Sequence, residues 1–331
     1  MLNIVSDFIK SILPAKKKTT PSGWTSFNAP CCVHNGESAD TRGRGGLTAN
    51  PDGSVSFHCF NCNFKASYQP GRHLTFKFRK LLKWLGADDT DIKRLVIEAI
   101  RVRGLVAPEE VKTEAEEEKI EFKVRDLPED AENLVTLDYV HPALEYCVAR
   151  KIDIAKFAFY ATKQEQYNLH KRIIIPFIWQ GRTIGYTARA IEETVKPKYH
   201  SNYEPNFVFN INNQLPDSKF VIVCEGPFDA MSIDGVAVLN NECNETQADI
   251  IESLGREVIV VADRDRAGAK MINNAIEYGW TVSFPVWLET SKDINEAVCK
   301  YGRLFVLKTI LDAKQTSKLK IELMKKRLYA I

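Results

Sequence analysis

Between residues 219 and 287, short continuous apolar runs alternate with amphipathic stretches. KFVIVCEG (219–226) reads as a buried strand and FDAMSI (228–233) as the start of a helix. VAVLN (236–240) reads as a strand and ETQADIIESLG (245–255) as a helix. EVIVVAD (257–263), AGAKMINNAIEYG (267–279) and TVSFPVW (281–287) repeat the order strand, helix, strand. Unbroken Val/Ile runs between helices predict a mostly parallel sheet covered on both faces. Just before it, RIIIPFIWQGRTIGYTARAI (172–191) predicts two strands joined by a turn at Gln180-Gly181, and 141–161 reads as helical.

The N-terminal part has a different texture. Residues 1–13 space Leu2, Val5, Phe8, Ile9 and Ile12 as an amphipathic helix. Residues 24–68 are short-range, polar and aromatic, with Gly43, Gly45, Gly46 and Gly53, which suits a small β-ribbon. Residues 74–103 predict two basic helices broken near Gly86. The expected organisation is an N-terminal helix (1–23), a small β module (24–72), basic helices (73–105), an acidic linker (106–138), a basic half-domain (139–218), the parallel-sheet domain (219–302) and a basic helical tail (303–331). The fold class is multi-domain α/β.

The net charge of +2 hides a strong division. Residues 1–105 carry 16 Lys/Arg against 8 Asp/Glu, residues 106–145 carry 4 against 13, and residues 146–331 carry 25 against 22. A basic head points to a polyanionic partner. No apolar run approaches the roughly 20 residues of a membrane helix. In the first 18 residues the basic cluster follows the apolar part, the wrong order for a secretory signal. A soluble cytoplasmic protein without a membrane partner is expected. Of eight cysteines, four fall within 32 residues (Cys31, Cys32, Cys59, Cys62) and four are scattered singly. That pattern suggests one metal site rather than a disulfide framework.

The spacing Cys31-x2-His34, then Cys59-x2-Cys62, supplies two ligand pairs of the kind tetrahedral zinc needs. Cys32 is an alternative to Cys31 but stands only two positions from His34, so Cys31, His34, Cys59 and Cys62 are the expected set for one zinc ion. Arg42, Arg44, Lys65, Arg72, Phe57, His58, Phe60 and Phe64 surround it. Cations with aromatics suit single-stranded nucleic acid; the same rings could equally form the module's core.

Three groups of acids follow predicted strand ends: Glu225 with Asp229, Asp263 with Asp265, and Asp293 with Asn295 and Glu296. In a parallel sheet such loops converge on one crevice, where gathered carboxylates call for Mg²⁺ or Mn²⁺. Asp after a strand is also a common helix cap, an alternative for any single member.

The series Glu225-Gly226-Pro227-Phe228-Asp229, Asp263-Arg264-Asp265-Arg266-Ala267-Gly268 and Lys292-Asp293-Ile294-Asn295 resembles the TOPRIM domain of primases, topoisomerases and some nucleases. Arg172-x3-Pro176, Gly185-Tyr186-Thr187-Ala188-Arg189 and Pro197-Lys198-Tyr199 resemble the basic half of a primase polymerase domain. With the cysteine module in front, the chain resembles bacteriophage DNA primases of the bacterial type. The resemblance covers roughly 24–68 and 140–300.

It implies template-directed synthesis of short RNA primers from ribonucleoside triphosphates on single-stranded DNA, by two-metal nucleotidyl transfer in the infected host's cytoplasm. Asp263, Asp265 and Asp293 would hold the catalytic cations with Asp229 in support, and Glu225 would be a ligand or the general base. Asn295 stands where bacterial primases usually carry a second aspartate, as a weak or indirect magnesium ligand. Arg172, Arg189, Lys198 and Lys292 would hold triphosphate or template phosphates. No nucleotide-binding P-loop is present, so a separate replicative helicase is expected. A TOPRIM nuclease is the rival, as is a single-strand-binding protein without activity.

Overall fold

A computed structural model describes residues 3–103, 120–162, 169–240 and 242–329. The chain divides into two compact units, residues 1–119 with 252–256, and residues 120–251 with 257–331. In the first, helix α1 (Ile4–Ile12) buries Val5 and Ile9. Strands β1 (Lys17–Thr19), β2 (Thr25–Phe27), β3 (Gly45–Ala49), β4 (Val55–Cys59) and β5 (Lys65–Tyr68) form an antiparallel sheet in sequential order. Along β4, Val55, Phe57 and Cys59 are buried while Ser56 and His58 take the other face, the period of two that one-sided burial requires. Helix α2 (Phe76–Trp84) begins where Thr75 Oγ1 accepts from the Phe78 amide at 3.3 Å, and α3 (Asp89–Arg103) follows. Phe27, Leu47, Phe57, Leu81, Leu82 and Leu95 form the shared core.

One difference from the sequence expectation lies in residues 1–23, which contain strand β1 as well as a helix. β1 is exposed throughout and carries two lysines, so it has no apolar alternation to read.

The second unit opens with β6 (Glu132–Asn133), α4 (Pro142–Ala149), β7 (Tyr160–Ala161), β8 (Arg172–Trp179), β9 (Arg182–Ala190) and β10 (Tyr199–Asn202). Their antiparallel sheet runs in the order β10-β9-β8-β7-β6. Gln180 and Gly181 both take positive φ (48° and 77°), as a two-residue hairpin turn demands. There follow β11 (Phe220–Cys224), α5 (Pro227–Ile233), β12 (Val236–Ala237), α6 (Glu245–Ser253), β13 (Glu257–Val260), α7 (Arg266–Tyr278) and β14 (Thr281–Ser283). The chain continues with α8 (Ile294–Tyr301), α9 (Arg303–Asp312), β15 (Lys314–Gln315) and α10 (Lys318–Tyr329). The sheet order is β12-β11-β13-β14-β15, parallel except for β15. Ile222, Phe228, Ile259, Trp287 and Ile294 lie in its core.

The helix and the linker differ from the sequence expectation, and the tail packs on the sheet. The helix expected over 141–161 ends at Ala149, and the chain turns toward β7. The acidic linker expected over 106–138 lies outside the described residues up to 119, but from 120 onward it is built into the second unit. Phe122 packs edge-on against Trp179 and Phe207, and Arg125 bridges to Ile184. Of its sparse apolar residues, Leu134 is buried and Phe122 partly so, while Val124 and Val135 are exposed. The tail over 303–331 is likewise integrated: Val306 and Ile310 are fully buried and β15 pairs with β14. Among the described residues, no helix is long and apolar enough to cross a membrane.

Candidate active site and metal centre

Cys31 and Cys32 stand at the start of a tight turn, Cys59 ends β4, and Cys62 lies in the turn toward β5. Their four sulfurs lie within 4.8 Å of one another. Cys31–Cys62 and Cys32–Cys59 are each 3.5 Å apart; sulfurs around tetrahedral zinc stand about 3.8 Å apart, given bonds of about 2.3 Å. Asn61 Nδ2 donates to Cys32 Sγ at 3.3 Å and Asn35 Nδ2 to Cys62 Sγ at 3.7 Å, orienting support of the type metal thiolates receive. Burial, aided by neighbouring sulfurs, pushes the Cys31 thiol far up and Cys32 to about 11. A soft divalent cation that displaces those protons fits this donor set.

The set corrects the sequence assignment. His34 is exposed, its imidazole stacked flat on Trp84 with centroids 4.8 Å apart, and Cys32 completes the group instead. Local spacing carries no information about Trp84, which arrives from α2. Of the nearby rings, Phe57 is core and Phe64 packs edge-on against Trp84. Phe60 is 60% exposed beside His58 and Trp24.

In the second unit the acids lie on the segments that follow strands or open helices. Glu225 follows β11 and its Oε1 accepts from the Asp263 amide at 3.1 Å. Asp265 caps α7, with Oδ1 accepting from Ala267 and Gly268 N–H at 2.9 and 3.0 Å, and its Oδ2 lies 3.2 Å from Lys292 Nζ. Asp293 caps α8 by accepting from Glu296 N–H at 2.7 Å. The capping role thus holds for two of the acids, and a cap occupies one carboxylate oxygen of two. Gly268 is needed where α7 meets the Asp263 turn, since a Cβ there would lie 1.9 Å from the Asp263 carbonyl oxygen. Among the described residues the cysteines are the one group of three or more ligand atoms within 4.8 Å. No three of the described acids gather their oxygens that closely.

Asn295 is not a cation ligand. Its Nδ2 donates to the Arg150 carbonyl (2.9 Å) and Ser232 Oγ (2.7 Å), and its Oδ1 accepts from Arg150 (2.9 Å). Its backbone N–H holds Asp229 Oδ1 at 2.8 Å. Being 1% exposed, the amide is spent on interior partners.

The basic residues also divide. Arg172 is 1% exposed and donates to the carbonyls of Pro197 (2.6 Å), Lys198 (3.2 Å) and Ala188 (3.3 Å). It shapes the loop that carries Lys198 and is not placed to hold a phosphate. Arg189 is buried, 4.3 Å over the Phe228 ring, and donates to the phenols of Tyr146 and Tyr199. Lys198 and Lys292 are exposed. Burial lowers Lys198, as does the charge of Arg189, against the pull of Asp293; Lys292 and Arg150 also act on it. Tyr146, Arg150, Ser232 and Tyr199 therefore belong to the site's framework. Only Tyr199 stood in a motif; the others are brought in by helix packing.

Burial raises the Glu225 carboxyl to about 7, against the Asp263 amide and with the charges of Asp265 and Asp229. Burial, then Glu225, Asp293 and Asp265, raises Asp263 to about 8, and Asp229 is held well above its ordinary value by burial and Asp293. In the cation-free protein these protons stabilise the fold below about pH 4, the range of unfolded carboxyls, and that contribution is lost as pH rises through 7 to 8. Thermal melting in chelator should therefore fall between pH 5 and 8. A loss of about 2 kcal/mol corresponds to roughly 4–8 °C for a domain of this size. Added Mg²⁺ or Mn²⁺ should remove most of that slope; an unchanged slope would mean that the acids bind no cation.

Residues 222–298 match the Toprim-like family. The DNA primase of Aquifex aeolicus (strain VF5) is 25% identical over 152 residues, which are 40% of this chain and 30% of that protein. The matched stretch is thus under a third of the relative's length. Among solved structures, the zinc-binding and RNA polymerase domains of the Aquifex aeolicus primase align with TM-score 0.47 and 19% identity, covering 98% of this chain and 86% of that one. The primase fragment of the bacteriophage T7 primase-helicase protein aligns with TM-score 0.40 and 15% identity, covering 86% and 99%. The chain therefore carries a Toprim-like domain and has a homologue among DNA primases.

Proposed function

We propose that this chain is a DNA primase, joining ribonucleotides into short primers on single-stranded DNA. The observation that carries the reading is the set of Glu225, Asp229, Asp263 and Asp293 at successive strand ends of the Toprim-like sheet, with three carboxyls held neutral-leaning by burial and one another's charge. A site that tolerates its acids poorly without cations is built for a reaction that brings them. Two divalent cations on Asp263, Asp265 and Asp293 would neutralise the attacking and departing oxygens of nucleotidyl transfer.

The residues do the remainder. Glu225, titrating near neutrality, is suited to accept the proton of the attacking 3′-hydroxyl. Lys292, paired with Asp265, and Lys198 supply exposed ammonium groups for triphosphate oxygens. Arg172 and Arg189 act one step back, fixing the Pro197–Lys198 carbonyls and the Tyr146–Tyr199 pair. In the first unit, zinc on Cys31, Cys32, Cys59 and Cys62 would hold the sheet that presents Phe60 for stacking on template bases. Phage replication, a separate helicase and the host cytoplasm belong to the same proposal. The experiment is cation-dependent incorporation of labelled ribonucleotides on a panel of single-stranded templates.

A further inference from the structure

On the surface between α4 and α8 lies a pocket of about 300 Å³ lined by Tyr146, Ala149, Arg150, Glu296 and Cys299. None of these residues takes a direct part in the reaction described above; Tyr146 and Arg150 serve only as framework, through Arg189 and Asn295. The pocket is nevertheless tied to the acids. Asn295 accepts from the Arg150 guanidinium, donates to its carbonyl and holds Asp229. Glu296 donates its backbone N–H to Asp293. The pocket therefore sits one helical turn from the reacting centre.

Its walls are specific in kind. The Arg150 guanidinium lies over the Tyr146 ring, 5.4 Å from the centroid, and Asn295 fixes its direction before any ligand arrives. Ala149 and Cys299 offer apolar surface, and Glu296 offers a carboxylate whose Oε2 accepts from the Lys292 amide at 2.7 Å. A phosphate would meet Glu296 and, one turn back, Asp293, and be repelled. A neutral flat heterocycle would stack on the guanidinium plane and donate from its edge to the Glu296 oxygen left over after Oε2 accepts from the Lys292 amide. The volume lies at the lower end for small-ligand sites, which suits a single base rather than a peptide segment.

We infer that this pocket receives a nucleobase flanking the reacting nucleotide, with Arg150 as its stacking platform and Glu296 as its acceptor. The inference rests on the primase reading for the presence of single-stranded DNA and nucleotides near the acids. The base comes either from the strand or from a free nucleotide, and the two are separable.

Cys299 is exposed, whereas the other described cysteines are buried or lie in the metal group. It therefore reports occupancy. The full-length zinc-loaded protein is treated with N-ethylmaleimide, and modification of the Cys299 peptide is followed by mass spectrometry. Three competitors are compared: a mixed-sequence DNA 12-mer, the same strand made abasic, and ATP with Mg²⁺. A competitor at about ten times its Kd should slow modification roughly tenfold if it fills the pocket. Protection by the intact strand but not the abasic one assigns the base to the strand; protection by ATP alone assigns it to the nucleotide. Arg150→Lys, which keeps the charge and loses the plane, should weaken that protection severalfold.

Equal protection by intact and abasic strands, or none from the strand or ATP, overturns the inference. Priming without protection would leave the primase reading standing and the pocket refuted. Protection without priming would do the reverse.

Discussion

Replacing Asp263 with Asn is expected to abolish ribonucleotide joining, a loss of about 10³-fold or more, while raising the melting temperature of the cation-free protein. The catalytic loss follows from removing a ligand that supplies several kcal/mol of charge stabilisation in the transition state. The stability gain follows from burial: the Asp263 carboxyl is held up at about 8 by burial and by Glu225, Asp293 and Asp265, and a neutral amide escapes that penalty at pH 7.5. Asp265→Asn should lose as much activity without the gain. Burial opposes ionisation of Asp265, but amides of Gly268 and Ala267 and the Lys292 ammonium hold its carboxyl low, and as the α7 cap it contributes about 1 kcal/mol. Because the ligands act as one unit, the Asp263→Asn/Asp265→Asn pair should be scarcely worse than either alone. Initial rates and chelator-treated melting curves for the three proteins check this. A folded Asp265→Asn protein that joins nucleotides at near the parental rate would contradict the assignment.

The second large effect concerns the cysteines. Cys59→Ser and Cys32→Ser should each abolish bound zinc and melt the first unit while the second unit keeps its own transition. His34→Ala should retain one zinc per chain. Structural zinc contributes about 10 kcal/mol or more to small metal-dependent folds, on the scale of a whole domain's net stability. Binding should also release protons, since burial holds the Cys32 thiol at about 11 and Cys31 higher. Elemental analysis and calorimetry in two buffers of different ionisation heat measure both. Zinc lost from His34→Ala and kept by Cys32→Ser would restore the sequence-based ligand set and refute the geometric one.

That contrast marks what the sequence made legible. The parallel sheet was readable because Val/Ile runs such as 257–261 are buried on both faces, and the acids because they follow those runs. The 180–181 turn was readable from its residue types. Arg172 and Asn295 turn inward for one shared reason: a polar side chain near a site looks like a contact to ligand, but long-range packing decides whether it faces outward. Arg172 meets carbonyls 16 to 26 positions away, and Asn295 meets Arg150 145 positions away. The capping roles of Asp265 and Asp293 are open alternatives in the sequence and both are present in the structure, where Asp265 spends its second oxygen on Lys292. Segment 120–138 is hidden by composition, because the buried Leu134 and the partly buried Phe122 anchor an otherwise acidic stretch.

The central claim is that the acids of the Toprim-like sheet join ribonucleotides under direction of a template. Its most direct measurement supplies one α-labelled ribonucleotide with the other three, on single-stranded templates of known sequence, with and without Mg²⁺ or Mn²⁺. The expected result is a short, alkali-labile product complementary to the template, formed only with the divalent cation and absent with Asp263→Asn. Shortened template strands with no labelled product, from a protein whose zinc and fold are intact, would contradict it and identify a nuclease instead.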